Sequence, residues 1–165
     1  MNMFSKEEFV EMIVRDLNIL KHVQSKILPG TENYRPTEKQ RSMLELIQYL
    51  GYAYKAGLDT MMKADGKVFD TYREEGNAIT VENFPQKIDE QIEILKSGIG
   101  NMTEEELNAP ISLFGAPAMP RRFWMMELFL KSIVAYRTQL FLYIKATGND
   151  KIGTSDLWMG MSSNS

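Results

Sequence analysis

An all-α fold, a single four-helix bundle with long unequal connections, is what the sequence predicts, and three observations lead there. Four stretches place apolar residues at helical spacing. Helix starts are marked by Ser or Thr followed three residues later by Glu or Gln. No pair of alternating runs marks a sheet, and Ile111 to Ala118 offers at most a small hairpin. The 165 residues read as one domain, 1–165, with a frayed tail from about 161 to 165. A chain of that length buries about two thirds of its unfolded surface in one core.

Ser5 with Glu8 opens the first helix, which Pro29-Gly30 should end. Thr37 with Gln40 is the matching signal for the second, running to about Ala64 before Gly66. Thr80 is a candidate cap for the third, roughly Val81 to Ile99, closed by Gly100, with Pro85 tolerable near its start. The fourth begins near Pro120 and ends at Gly148. Between them lie two long connections, Gly66 to Ile79 with Phe69 and Tyr72, and Asn101 to Met119 with a short capped turn at Thr103 and Glu106. Gly153-Thr154-Ser155-Asp156 reads as the cap of a last helical turn ending in Trp158.

Composition removes several classes of function. There is no cysteine and one histidine, His22, which excludes zinc fingers, iron–sulfur clusters, thiol nucleophiles and any site needing two imidazoles. With 19 basic residues scattered among 22 acidic ones and a net charge of -3, no phosphate-neutralising patch emerges, so nucleic acid is not an expected partner. Met1 to Phe9 lacks the apolar run of a secretory signal, and the cytoplasm is the expected location. Phe123 to Ile144 is long and apolar, but Glu127, Lys131 and Arg137 make it a buried helix rather than a membrane span.

Helical phasing locates the polar residues that interrupt apolar faces. On the first helix Phe9, Met12, Ile13, Leu17, Leu20, Val23 and Ile27 share a face, and Asp16 falls in its middle. A carboxylate there is either half of an ion pair, with Arg137 the natural partner, or the lining of an internal pocket. His22 lies on another side beside Asn18, Arg15 and Lys26, a solvated position, so a Ser-His-Asp hydrolase is not expected. The second helix turns Met43, Ile47, Leu50, Tyr54, Leu58 and Met61 inward, with Tyr49 on a separate line among small residues.

On the fourth helix Glu127, Lys131, Thr138 and Lys145 form one charged stripe, and Ser132, Tyr136, Gln139 and Tyr143 lie opposite it. Such a polar column either satisfies itself inside the bundle or lines a ligand cavity between helices. The twelve methionines likewise suit an adaptable core or a plastic pocket.

The segment Leu128 to Leu140, with Arg137-Thr138-Gln139-Leu140 and then Tyr143 and Gly148, resembles the last long helix of the DinB-like superfamily. There, two histidines four residues apart precede an Arg-x-Gln-Leu signature. Glu45-Leu46-Ile47-Gln48-Tyr49-Leu50 is similar to the family segment that carries a third histidine, and helix count and loop pattern match over most of the chain. The resemblance implies a four-helix bundle of unusual connectivity, frequent homodimers, and in many members a divalent metal on those three histidines. Some relatives are thiol-dependent transferases or isomerases.

Carried over position by position, the three ligands fall on Tyr49, Ser132 and Tyr136, none of which is histidine. Hydroxyl oxygens must lose protons of pKa about 10 or higher to bind zinc, nickel or iron(II), whereas neutral imidazole is ready to do so. The expectation is therefore a DinB-like bundle without metal or other cofactor, binding a small molecule or serving as a structural homodimer. Tyr49, Ser132 and Tyr136 are its pocket, with Asp16, Gln139, Tyr143 and Arg137 as further candidate lining. The alternative is a thiol-dependent transferase or isomerase using the pocket between helices two and four, with Arg121, Arg122 or Arg137 holding an anion.

Overall fold

The structure, a computed structural model, describes residues 4–162. Residues 163–165 of the expected frayed tail lie outside the described residues. Four long helical segments make the bundle: α1 (Lys6–Gln24), α2 (Met43–Lys63), α4 (Phe84–Gly100), and a final continuous run of α6 (Arg121–Met125), a π-helical segment (Met126–Lys131) and α7 (Ser132–Ala146). Shorter elements fill the connections. A 3₁₀ helix (Gly66–Tyr72) leads into α3 (Arg73–Gly76), α5 (Glu104–Asn108) precedes the strands β1 (Pro110–Ile111) and β2 (Met119–Pro120), and α8 (Thr154–Met159) follows the bundle. The strands form an antiparallel pair, Pro110 opposite Pro120 and Ile111 opposite Met119. No helix among the described residues is long and apolar enough to cross a membrane.

Capping chemistry accounts for most boundaries. Ser5 and Glu8 form a reciprocal box at α1, and Thr103 with Glu106 does the same at α5. Two starts lie further along the chain than the sequence signals suggest. The box that opens α2 is Ser42 with Glu45, not Thr37 with Gln40, because it is the pair that directly precedes the apolar run; Thr37 Oγ1 instead donates to Gln40 Oε1 within the preceding loop. Helix α4 begins at Phe84, one turn after Thr80, whose backbone N–H donates to Asn83 Oδ1 in a tight turn ahead of Pro85.

One apolar core runs between the helices, with Ile13, Leu17, Leu50, Tyr54, Phe84, Ile88, Phe129 and Ile133 all fully enclosed. α2 lies closely on α4: a Cβ at Gly98 would meet Leu58 Cδ2 at 2.4 Å, so a larger residue there would make the Leu58 side chain shift. Gln91 of α4, itself buried, accepts from Tyr54 N and Lys55 N through Oε1 and donates to the Leu50 carbonyl through Nε2. A single amide thus meets three backbone groups of α2 and fixes the sliding register of the two helices.

Two ion-pair contacts tie α1 to α7 and α8. Arg137 Nη1 of α7 donates to Asp16 Oδ1 at 2.8 Å, with Arg137 only 3% exposed and Asp16 18%. His22 is less solvated than its helical position suggests, because α8 covers it and His22 Nε2 lies 2.7 Å from the buried Asp156 Oδ1. Burial by itself would raise the Asp156 pKa, but the Gly153 N–H, His22 and the Ser162 hydroxyl outweigh it and hold the carboxyl below its usual range.

Breaking a buried ion pair strands the surviving charge. Arg137→Met should lower unfolding free energy by about 3 kcal/mol in urea denaturation, the low end for such pairs because Asp16 keeps some solvent. An unchanged urea midpoint would mean that the pair contributes nothing.

Candidate functional site

The first turn of α2 organises the candidate site. Besides the Ser42–Glu45 box, the Met43 and Leu44 N–H groups donate to the carbonyls of Tyr34 and Glu32 at 2.8 and 2.7 Å, so the incoming loop is strapped across the helix start. That strap carries Arg41 to the rim, with its guanidinium 4.4 Å from the centre of the Tyr49 ring. On the other side, Tyr72 Oη donates to Asp59 Oδ2 at 2.7 Å, Lys55 pairs with Glu75 at 2.9 Å, and the absence of a side chain at Gly76 lets the Tyr52 ring lie against the backbone. A Cβ at Gly76 would stand 2.6 Å from that ring. These contacts fold the 3₁₀ segment onto α2 and deliver Phe69.

The outcome is an aromatic cluster. The Tyr49 ring meets Tyr52 at 5.7 Å, Phe69 at 5.9 Å and Tyr136 of α7 at 5.1 Å, the first and last edge to face. Outward from Tyr49, Tyr52 and Phe69 opens a cleft of about 610 Å³ whose rim carries Arg35, Arg41, Arg73 and acidic partners. That volume lies in the range of small-molecule sites. Inward, burial followed by the neighbouring Tyr136 hydroxyl holds the Tyr49 phenol well above the ordinary tyrosine pKa. Tyr54, fully enclosed, is raised too, by burial and then by Tyr49 and Tyr136, and its hydroxyl has no protein partner among the described residues.

The residues singled out in the sequence are distributed unevenly. Tyr49 lines the cleft and Tyr136 backs it from behind. The Ser132 hydroxyl turns to its own helix, 2.6 Å from the Leu128 carbonyl and 3.0 Å from that of Phe129. Asp16 and Arg137 hold each other between α1 and α7. Gln139 Nε2 donates to Tyr143 Oη at 2.7 Å, and the Tyr143 ring packs on Tyr34 of the strap. Arg121 and Arg122 have protein partners, the Glu106 carbonyl and the Glu104 carboxylate.

The polar column is not the most buried line of α7. Of its members Ser132, Tyr136 and Gln139 are half-buried and only Tyr143 is buried, while Ile133, Arg137, Leu140 and Ile144 face the core. Both lines lie within regular α-helix, one residue apart, and the charged stripe misplaces the solvent side: Thr138 is half-buried, while the apolar Ala135 and Leu142 are exposed. Arg41, Tyr52 and Arg73 carry no periodic sequence signal because they precede, flank or follow the amphipathic stripe of α2, and Phe69 is marked only as part of a long connection. The spacing Tyr49, Tyr52, Tyr54 was the available hint.

Raised tyrosine pKa values make stability depend on alkaline pH. A neutral phenol favoured by the fold contributes fully below its unfolded pKa of about 10 and is lost as pH rises through the folded value. Tyr72, pushed up to about 12 by burial and by its bond to Asp59, should ionise before Tyr49 and Tyr54. Urea midpoints should accordingly be level from pH 7 to 9 and fall above about pH 10, and Tyr49→Phe should flatten that fall. At neutral pH Tyr54→Phe should stabilise the protein by about 1 kcal/mol, having removed an unpaired buried hydroxyl. A loss of stability would show that the hydroxyl is hydrogen-bonded in solution.

No protein-family model and no curated protein matches the sequence. Among solved structures the chain is similar to the crystal structure of a DinB-like protein, YjoA, from Bacillus subtilis. The two share 18% sequence identity with a TM-score of 0.70, over 88% of this chain and 95% of the other. At that identity the likeness concerns architecture, and the fold of this chain is the DinB-like all-α fold.

Proposed function

We propose that this protein is a metal-free DinB-like bundle that binds a small molecule in the cleft beside Tyr49. The observation that carries the reading is the chemistry at the three positions that the resemblance equates with metal ligands. Tyr49 and Tyr136 pack edge to face, Tyr49 keeps its proton well above the ordinary range, and the Ser132 hydroxyl is engaged by carbonyls of its own helix. A divalent transition ion needs deprotonated or neutral nitrogen donors, and this set of hydroxyls does not fit one. Among the described residues no group of three His, Cys, Asp or Glu side chains is arranged to hold a metal. The cleft, by contrast, joins an aromatic wall to charged groups at its rim, the usual make-up of a small-molecule site.

A protonated, enclosed Tyr49 can donate a hydrogen bond but is a poor base, and Arg121, Arg122 and Arg137 are engaged by protein groups. These features favour binding over a thiol-transfer reaction. Self-association into a homodimer in the cytoplasm belongs to the same reading, supported by the exposed rings of Phe4 and Phe123 beside a groove of about 720 Å³.

Native protein purified without chelator should contain far less than stoichiometric zinc, nickel or iron by elemental analysis, and calorimetric titration with Zn²⁺ or Ni²⁺ should give no heat of specific binding. Near-stoichiometric metal would overturn the metal-free reading. In sedimentation at micromolar concentration the mass should be twice the chain's 19.0 kDa, and Phe123→Glu should return it to one chain. A wild-type monomer would remove the dimer from the proposal.

A further inference from the structure

We propose that the cleft beside Tyr49 selects a small planar aromatic ring bearing an anionic group, with the ring against the half-buried Phe69 and the exposed edge of Tyr52, and the anion on Arg41. This inference rests on the ligand-binding reading above and adds the chemical class of the ligand. Charge accounting separates Arg41 from its neighbours. Arg35 is paired with Glu45 at 3.3 Å and Arg73 with Asp70 at 2.8 Å. Arg41 has no carboxylate within ion-pair distance among the described residues, and its recorded contact is the face of Tyr49.

A guanidinium seated over a ring keeps its N–H donors, which point along its own plane, free for a two-toothed bond to a carboxylate or phosphate. Stacking also limits its rotamers before any ligand arrives, so less entropy is lost on binding. The aromatic wall accounts for the other half of the ligand. Tyr49, Tyr52 and Phe69 meet one another at 5.7 to 6.0 Å in edge and tilted contacts. A flat ring can extend that arrangement in the same tilted or edge-to-face geometry.

Neither half suffices alone. An inorganic anion would leave the half-buried Phe69 ring uncovered and meet Arg41 in open water, where an exposed pair is worth little. A neutral ring would shield the guanidinium from water without supplying a partner. Overall charge does not draw the anion in, since the chain carries a net -3; the attraction is local to Arg41. Glu38 and Lys39, both exposed on the same rim, offset each other.

The test is calorimetric titration of the full chain with 2-naphthoate, 2-naphthyl phosphate, the neutral 2-naphthylmethanol and inorganic phosphate. At least one naphthyl anion should bind with a Kd below about 1 mM and about tenfold more tightly than the alcohol, and inorganic phosphate should not bind. Comparing the two anions tells which oxyanion the site prefers, and a tighter complex with either supports the assignment. Arg41→Gln should remove that advantage and leave the alcohol's affinity unchanged, while the remote Lys96→Gln should change nothing. If the alcohol binds as tightly as both anions, or Arg41→Gln has no effect, the ligand class is wrong while the ligand-binding reading survives. If no naphthyl compound binds, both fall.

Discussion

The contact on which the rest of this molecule depends is the buried pair of Arg137 and Asp16. A guanidinium that is 3% exposed is tolerable only with an anion at hydrogen-bond distance, and the one within reach belongs to the opposite end of the chain sequence. Closing that pair sets the rotation of α7 against α1. Its neighbour Tyr136 is then turned sideways toward α2, where it meets the ring of Tyr49. Gln91 does the comparable work between α4 and α2, since its one amide must meet Leu50, Tyr54 and Lys55 together. Two polar contacts in an apolar interior, where non-directional packing would allow several alignments, leave one.

Around that frame the site is assembled from connections rather than from the bundle itself. The strap before α2 supplies Arg41 and the 3₁₀ segment after it supplies Phe69, so residues from both flanks of one helix converge on its first turns. Such loops are where recognition commonly resides, because a rigid scaffold can hold them while their side chains vary. The π-helical stretch Met126–Lys131 belongs with these features. It shifts the face that α7 offers to the core, and Ser132, the first residue after it, turns its hydroxyl onto carbonyls at the junction.

Much of this was legible from residues alone. The apolar periodicities, the boxes at Ser5 and Thr103, and the last turn after Gly153 each arise from contacts within a few residues, which a linear reading can see. The pairing of Asp16 with Arg137 was also accessible, because a lone carboxylate on an apolar face demands a partner and few cations were free to be one. At the start of α2 two capping signals compete, and proximity to the apolar run selects Ser42 over Thr37. Of the cleft, only Tyr49 could be named in advance; Arg41 and Phe69 carry no periodic signal, and what makes them matter is each other's position.

The sequence by itself determined the four long helices, the caps at Ser5 and Thr103, the class of the core and the hydroxyl character of the three positions at Tyr49, Ser132 and Tyr136. Tertiary structure alone decided that Tyr136 faces Tyr49, that Ser132 turns to its own helix, that His22 lies beneath α8, and that a cleft opens where Arg41 stands over a ring. The reason is one of range. Helix formation and capping are settled by neighbours three or four residues apart, while the direction of a side chain depends on the phase of its helix and on which distant element arrives against it. On α7 the exposed apolar residues Ala135 and Leu142 hide from the hydrophobic pattern which side faces solvent.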